Sequence, residues 1–158
     1  MKTIHLLRHA HAGFSSEDNS DFNRCLSEQG ISEIQSLACK ISNQQLSPDL
    51  ILASSAQRTR QTTKILMESC NWHGRVQFLD IIYEADIQDL LELIHNQPDN
   101  CNNLLICGHN PTISYLSSYI LNSRISIDTA NYISFELNIE KWIEITKGIG
   151  ELKLHLLP

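Results

Sequence analysis

Four residues whose side chains suit phosphate chemistry lie far apart in this sequence. Arg8 and His9 are adjacent near the N-terminus, and Arg58 and His109 follow much later. A guanidinium group binds phosphate oxygens two at a time. A neutral imidazole can attack phosphorus to give a covalent phosphohistidine, and a protonated one can donate to an oxygen that gains charge in the transition state. These residue types together indicate phosphoryl transfer without a metal ion, because the arginines supply the positive charge.

The four residues fall into three motifs, and each motif follows a predicted strand. Apolar runs predict buried strands at residues 2–7, 50–53 and 104–107. Sites in open α/β sheets form beyond the carboxyl ends of the strands. We therefore expect the arginines and histidines to converge at one edge of the sheet. The motifs are Arg8-His9-Ala10, Ser54-Ser55-Ala56-Gln57-Arg58 and Gly108-His109-Asn110-Pro111.

Helices are predicted between these strands. Apolar residues at helical spacing predict a helix that begins near Ser27, a second over 58–68 and a third that begins near Ile87 and ends near Gln97-Pro98. Asn110 resembles an N-cap that is followed by proline at the first position of a further helix. The polar residues at 14–25 predict an irregular loop.

The C-terminal part of the chain has a different pattern. Residues 133–137, 142–145 and 152–154 predict antiparallel strands, and residues 76–79 predict one more strand earlier in the chain. The predicted fold class is therefore α/β: a three-layer sandwich with a mostly parallel central sheet, antiparallel C-terminal strands and helices on both faces. The length of 158 residues predicts a single domain over 1–158.

The overall composition narrows the possible partners. A net charge of −6 disfavours a general nucleic-acid binder, which needs a basic face. Five cysteines without a Cys-x-x-Cys pair disfavour a disulfide framework or a zinc ribbon and indicate reduced thiols. The sequence shows neither an apolar run long enough to span a membrane nor a signal-peptide core. We expect a cytoplasmic protein that acts on neither nucleic acid nor membrane.

The three motifs resemble, in the same order, those of the histidine phosphatase (phosphoglycerate mutase-like) superfamily. Arg8-His9-Ala10 is similar to the Arg-His-Gly signature, with alanine where glycine is common. The segment from Ser54 to Thr62 is similar to Ser-x-x-x-Arg-x-x-x-Thr, and Gly108-His109-Asn110-Pro111 is similar to the second histidine motif. Arg24-Cys25-Leu26-Ser27 resembles the Arg-Pro-Leu-Thr stretch of SixA-type members, with Cys25 in place of proline. The small size also fits the SixA-type branch.

The resemblance implies a role for each matching residue. His9 would be the nucleophile that accepts the phosphoryl group. Arg8, Arg58 and His109 would bind phosphate and stabilise the transition state, and Arg24 is a further candidate for contact with phosphate or substrate. We expect a neutral His9, a charged His109 and a bell-shaped pH profile, because pKa values that are pushed apart separate these two roles.

A general acid is the least defined part of the predicted site. Phosphomonoesterases of the superfamily use a Glu or Asp to protonate the leaving alkoxide. The candidates here are Glu84 and Asp86, and Glu84 is preferred because Asp86 fits a helix N-cap. SixA-type members need not use an acid, since an imidazole with a pKa of about 6.5 leaves more easily than an alkoxide.

The resemblance favours a phosphohistidine phosphatase that acts on a protein such as a phosphotransfer domain and uses no cofactor. The alternatives are a phosphomonoesterase for a small metabolite with Glu84 as its acid, and a non-catalytic phosphate-binding module. The pair His9 and His11 also resembles a metal-binding His-x-His motif of barrel hydrolases. Such barrels need about 250 residues, so we expect no metal site.

Overall fold

One mixed β-sheet forms the centre of the protein in a computed structural model, which describes residues 1–14, 17–18 and 20–158. Within these ranges the sheet has six strands, and their order across it is β3-β2-β4-β1-β5-β6. The strands are β1 (Lys2–Arg8), β2 (Leu50–Ser54), β3 (Arg75–Leu79), β4 (Asn103–Gly108), β5 (Tyr132–Leu137) and β6 (Gly150–Leu156).

The first four strands are parallel, and β5 and β6 complete the sheet in antiparallel pairings. Arg8 at the end of β1 lies beside Gly108 at the end of β4. Ala53 in β2 pairs with Cys107 in β4. The carboxyl ends of three parallel strands therefore meet at one edge, where the three sequence motifs begin.

The helices alternate with the strands, and local capping defines two of their starts. They are α1 (Glu28–Ser42), α2 (Gln57–Cys70), α3 (Ile81–Glu84), α4 (Ile87–His95) and α5 (Thr112–Leu121). Ser27 caps α1, since its hydroxyl accepts a hydrogen bond from the Gly30 N–H. Asp86 caps α4 as predicted, and Asp89 completes a capping box with it. None of the helices in the described ranges is long and apolar enough to cross a bilayer.

Apolar side chains cover both faces of the sheet, which confirms the three-layer α/β fold. Successive strand residues point to opposite faces. Leu104 and Ile106 accordingly pack in the core that includes residues of α4 and α5, while Leu105 and Cys107 pack in the core that includes residues of α1 and α2. Each fully buried leucine contributes roughly 1.5–3 kcal/mol to folding. These two cores hold the strand ends in fixed positions.

Two local predictions are wrong. Residues 142–145 do not form a strand: Trp142–Glu144 is a 3₁₀ turn. Trp142 is buried there, and its indole N–H donates to the Cys101 carbonyl, while Ile143 next to it is exposed.

Asn110 is not a helix N-cap, because α5 begins at Thr112 and Pro111 occupies the cap position. The Asn110–Pro111 peptide bond is cis. The Asn110 amide instead donates to the Ile127 carbonyl at 2.7 Å and accepts from the Ser114 hydroxyl at 2.9 Å. The described residues of the predicted loop at 14–25 form bends, turns and irregular backbone without a helix or strand, and residues 15, 16 and 19 lie outside the described residues.

Candidate active site

His9 lies directly beyond the end of β1, with its backbone bonded on both sides. Its N–H donates to the Gly108 carbonyl at 3.1 Å, and its own carbonyl accepts from the Ala130 N–H at 3.2 Å. The ring Nδ1 is 2.8 Å from the Ala10 carbonyl, which only accepts hydrogen bonds, so Nδ1 carries the proton. The lone pair of the His9 imidazole is therefore on Nε2.

Burial keeps the His9 ring neutral. The pKa of His9 is lowered to about 4, mainly because burial removes the hydration of the charged ring. The nearby arginines lower the pKa further, whereas the bond to the Ala10 carbonyl raises it. A neutral imidazole with an unprotonated Nε2 is the form that can attack phosphorus.

Arg58, in the first turn of α2, is directed at His9. Its Nε donates to His9 Nε2 across 3.3 Å, and the Arg58 side chain is only 8% exposed. Thr62 connects α2 to the loop after β1: its hydroxyl donates to the Arg58 carbonyl at 2.7 Å and accepts from the Ala10 N–H at 3.0 Å. One turn of α2 thus positions Arg58 and the nucleophile loop together.

His109 follows β4 and faces the same pocket, with its ring centroid 4.9 Å from that of His9. Its Nδ1 is 3.4 Å from Arg58 Nη2, which only donates, and its Nε2 is 2.8 Å from the Ser54 hydroxyl. The Nδ1 lone pair therefore faces Arg58, and the proton is on Nε2.

The expectation that His109 is charged is wrong for the free protein. Burial, followed by the neighbouring His9 and Arg58, lowers the pKa of His109 to about 3. The pKa values of the two histidines are consequently not pushed apart, since both rings are neutral near pH 7.

Arg8, at the end of β1, is only partly hydrogen-bonded within the described residues. Its Nη1 donates to the Ile127 carbonyl at 3.2 Å and lies 4.0 Å from Asp128. Among the contacts of the described residues, the buried Arg8 Nε has no hydrogen-bond partner. An unsatisfied buried donor costs about 1–3 kcal/mol, so an anion bound beside Arg8 would be stabilised by this group.

Asp21 and Tyr83, which the sequence interpretation missed, complete the cluster. The Asp21 carboxylate accepts from Arg24 Nη1 at 2.7 Å, from Arg58 Nη2 at 3.0 Å and from the Tyr83 hydroxyl at 2.7 Å. These bonds keep the pKa of Asp21 far below its usual range, with the bond from Tyr83 as the largest cause. The Tyr83 ring also stands edge-on to His109, with 5.4 Å between centroids. Only the Asp-x-x-Arg spacing of Asp21 and Arg24 was visible in the sequence.

The structure places the two candidate acids differently from Tyr83. Glu84 is exposed at the end of α3, and among the described residues no hydrogen bond or ion pair joins it to His9, Arg58 or His109. Asp86 is the cap of α4. Tyr83 is the residue of this segment that faces the cluster.

His11 points away from His9. Its Nδ1 lies 2.7 Å from the Ser27 hydroxyl, at the start of α1. Within the described ranges, no group of three or more His, Cys, Asp or Glu side chains is arranged to hold a metal ion.

Comparison with known proteins identifies the family of the chain. A family model described as histidine phosphatase superfamily (branch 1) matches residues 4–96. The chain therefore belongs to the histidine phosphatase superfamily, and this membership supports phosphatase activity. An uncharacterized chloroplastic protein of Arabidopsis thaliana is 28% identical over 94% of this chain and 73% of its own length.

Solved structures place the fold with SixA proteins. One from Agrobacterium tumefaciens, provisionally named phosphohistidine phosphatase SixA, has a TM-score of 0.83 and 28% identity over 99% of this chain and 98% of its own. A second, from Nakamurella multipartitia and also provisionally named SixA, has a TM-score of 0.82 and 22% identity over 99% and 96% of the two chains. The α/β fold of the chain is thus SixA-like.

Proposed function

We propose that this chain, as one domain over 1–158, hydrolyses phosphohistidine in a protein substrate such as a phosphotransfer domain, through a covalent intermediate on His9. The observation that carries the proposal is the bond from Arg58 Nε to the lone pair of His9 Nε2. It places a cation that binds phosphate oxygens beside the atom that must attack phosphorus. Arg8 Nε, which has no acceptor in the part of the chain that the structure describes, adds a second donor.

The first step transfers the phosphoryl group to the enzyme. His9 Nε2 attacks phosphorus in line as the Arg58 Nε–H moves from this nitrogen to a phosphoryl oxygen. A new P–N bond forms, the P–N bond to the substrate ring breaks, and that ring, protonated on its other nitrogen, leaves as neutral imidazole. Arg8 and Arg58 stabilise the charge on the equatorial oxygens, so the positive charge comes from the chain itself. In the second step water attacks phospho-His9, and inorganic phosphate leaves with regeneration of the neutral ring.

His109 changes its protonation state in this scheme. A phosphoryl dianion beside the ring favours the imidazolium and raises the pKa that burial has lowered. Protonated at Nδ1, which faces Arg58 in the free protein, His109 donates to a phosphoryl oxygen in the transition state.

The acid–base groups at the site favour a phosphoramidate substrate. Glu84 is exposed and has no hydrogen bond to His9, Arg58 or His109 among the described residues, and the bonds from Tyr83 and the arginines keep Asp21 ionised. These features favour a leaving group that needs no proton from a carboxyl group. A departing imidazole has a pKa of about 6.5 and needs far less help than a serine alkoxide. Likeness to the Agrobacterium protein, whose name refers to phosphohistidine, supports the same substrate class.

A protein substrate fits the connections around the pocket. Residues 55–56 join β2 to α2, Asp80 joins β3 to α3, and residues 109–111 join β4 to α5. These three connections are too short to close over the pocket, whereas the longer segments from β1 to α1 and from α5 to β5 contact Arg58 and Arg8 at its border.

The deciding experiment compares hydrolysis of a phosphohistidine protein and of a phosphoserine peptide in EDTA. We expect wild type to prefer phosphohistidine and His9→Ala to lose that activity, while His73→Ala, an exposed control, keeps it. An acid-labile phosphoryl group trapped on His9 would identify the intermediate. Preference for phosphoserine or a small ester would instead favour the metabolite phosphatase, and binding without turnover a phosphate-binding module.

A further inference from the structure

Asp21 supplies a carboxylate to the middle of the arginine cluster. Besides its side-chain bonds to Arg24, Arg58 and Tyr83, its backbone carbonyl accepts from Arg58 Nη1 at 2.6 Å. Both terminal nitrogens of Arg58 are thus bonded to the same acidic residue. This doubly bonded arrangement resembles the way in which a guanidinium group holds an oxyanion.

Arg58 has few donors left for a substrate while Asp21 is in place. A guanidinium group has five N–H donors. Its Nε is bonded to His9, Nη1 to the Asp21 carbonyl, and Nη2 to the Asp21 carboxylate and to His109. A phosphoryl group in line with His9 Nε2 therefore competes with Asp21 for the two terminal nitrogens of Arg58, and two anions on one guanidinium group also repel each other.

We propose that Asp21 is an internal anion that occupies Arg58 in the free enzyme and must be displaced when the phosphoryl group binds. The inference rests on the proposed phosphate-binding role of Arg58. The Asp21 side chain is 52% exposed, so the displaced carboxylate moves into water rather than into an apolar core. Arg24 keeps it at the rim of the site. The return of Asp21 to Arg58 then promotes release of inorganic phosphate.

The test measures binding of inorganic phosphate to the whole chain by calorimetry. Asp21→Asn keeps the size of the side chain and removes its charge. We expect the phosphate Kd to fall about tenfold, which is the range of one charge-assisted hydrogen bond. Asp128→Asn is the matched control, because it removes one negative charge 4.0 Å from Arg8 without touching Arg58, and it should change Kd less than about twofold.

An unchanged or weaker affinity in Asp21→Asn would overturn the proposal, and so would an equal gain in Asp128→Asn. Thermal unfolding of each variant excludes misfolding as the cause of a weaker affinity.

A second variant tests the contact itself. Tyr83→Phe removes one bond that holds Asp21 in place and should lower Kd about threefold in wild type. It should have no effect in Asp21→Asn, because the two residues act through one contact. An equal effect of Tyr83→Phe in both backgrounds would contradict the proposal.

These readouts are independent of turnover. Tighter phosphate binding in Asp21→Asn, in an enzyme that fails to hydrolyse phosphohistidine, would reject the proposed function and retain the role of Asp21. Normal hydrolysis with an unchanged phosphate Kd would reject only the role of Asp21.

Discussion

Arg58 Nε and His9 Nε2 are joined by a hydrogen bond of 3.3 Å between side chains that are 49 residues apart in sequence. The bond lies at the carboxyl edge of the sheet, where α2 and the loop after β1 meet. Because Nδ1 of His9 is bonded to the Ala10 carbonyl, the tautomer is fixed and Nε2 is the acceptor. The guanidinium group therefore lies next to the nucleophilic lone pair before any substrate arrives.

Replacement of Arg58 by lysine tests this relationship. Lysine keeps the charge, but its single ammonium cannot face His9, His109 and a phosphoryl group with a planar fork. We expect Arg58→Lys to lower kcat/KM for phosphohistidine at least about 100-fold. Arg60→Lys is the control on the same helix: Arg60 is exposed and bonds the Ser55 carbonyl, so its loss should cost no more than about threefold. Equal losses in the two variants would contradict a special role for Arg58.

The histidine protonation states give a prediction with a defined sign. Burial lowers the pKa of His9 to about 4 and that of His109 to about 3, so both rings are neutral above these values and gain a proton only below them. The Cε1–H NMR signals of both rings should stay at the neutral position from about pH 8 down to about pH 5. Inorganic phosphate should move the His109 midpoint upward. A midpoint near the ordinary value of about 6.5 for His9 in the free protein would contradict the assignment.

Glu84 provides the test of acid-free chemistry. Its exposed position predicts that Glu84→Gln changes kcat for phosphohistidine by less than about threefold, because the leaving imidazole needs no carboxylic acid. Glu92→Gln, an exposed carboxylate on α4, is the matched control. A loss of about 100-fold in Glu84→Gln alone would show that Glu84 reaches the substrate and would support the phosphomonoesterase alternative.

The sequence predicted the parts of the site that follow buried strands. Apolar runs identify β1, β2 and β4, and the geometry of parallel sheets then requires the residues after them to share one edge. Arg8, His9, Arg58 and His109 accordingly come together, although their catalytic roles remain proposals. The cap at Asp86 was predictable for a different reason: capping depends only on residues that are close in sequence.

Contacts between segments that are distant in sequence could not be predicted from the sequence patterns. The bond between Tyr83 and Asp21 joins residues 62 positions apart, and nothing in either segment specifies the other. The 3₁₀ turn at Trp142–Glu144 has the composition of a strand, but burial of the indole determines its shape. The neutral state of His109 likewise depends on burial, which only the packed structure defines.

Gly30 positions the loop that carries the nucleophile. It lies in the first turn of α1, and a Cβ atom added there would be 2.0 Å from the backbone oxygen of His11. That oxygen also accepts from the Ser27 N–H at 3.0 Å, so neither the helix nor the loop can move without loss of the other contact. We expect Gly30→Ala to lower the free energy of unfolding by roughly 2 kcal/mol despite the better helix propensity of alanine. Urea denaturation followed by tryptophan fluorescence measures the change.

Gly13→Ala is the control, since its Cβ would lie 3.7 Å from the Cys25 carbonyl, an ordinary contact. That variant should stay within about 1 kcal/mol of wild type. Wild-type stability in Gly30→Ala would show that α1 leaves room for a methyl group beside the His11 backbone. It would contradict the inference that α1 packs tightly on the loop that carries His9.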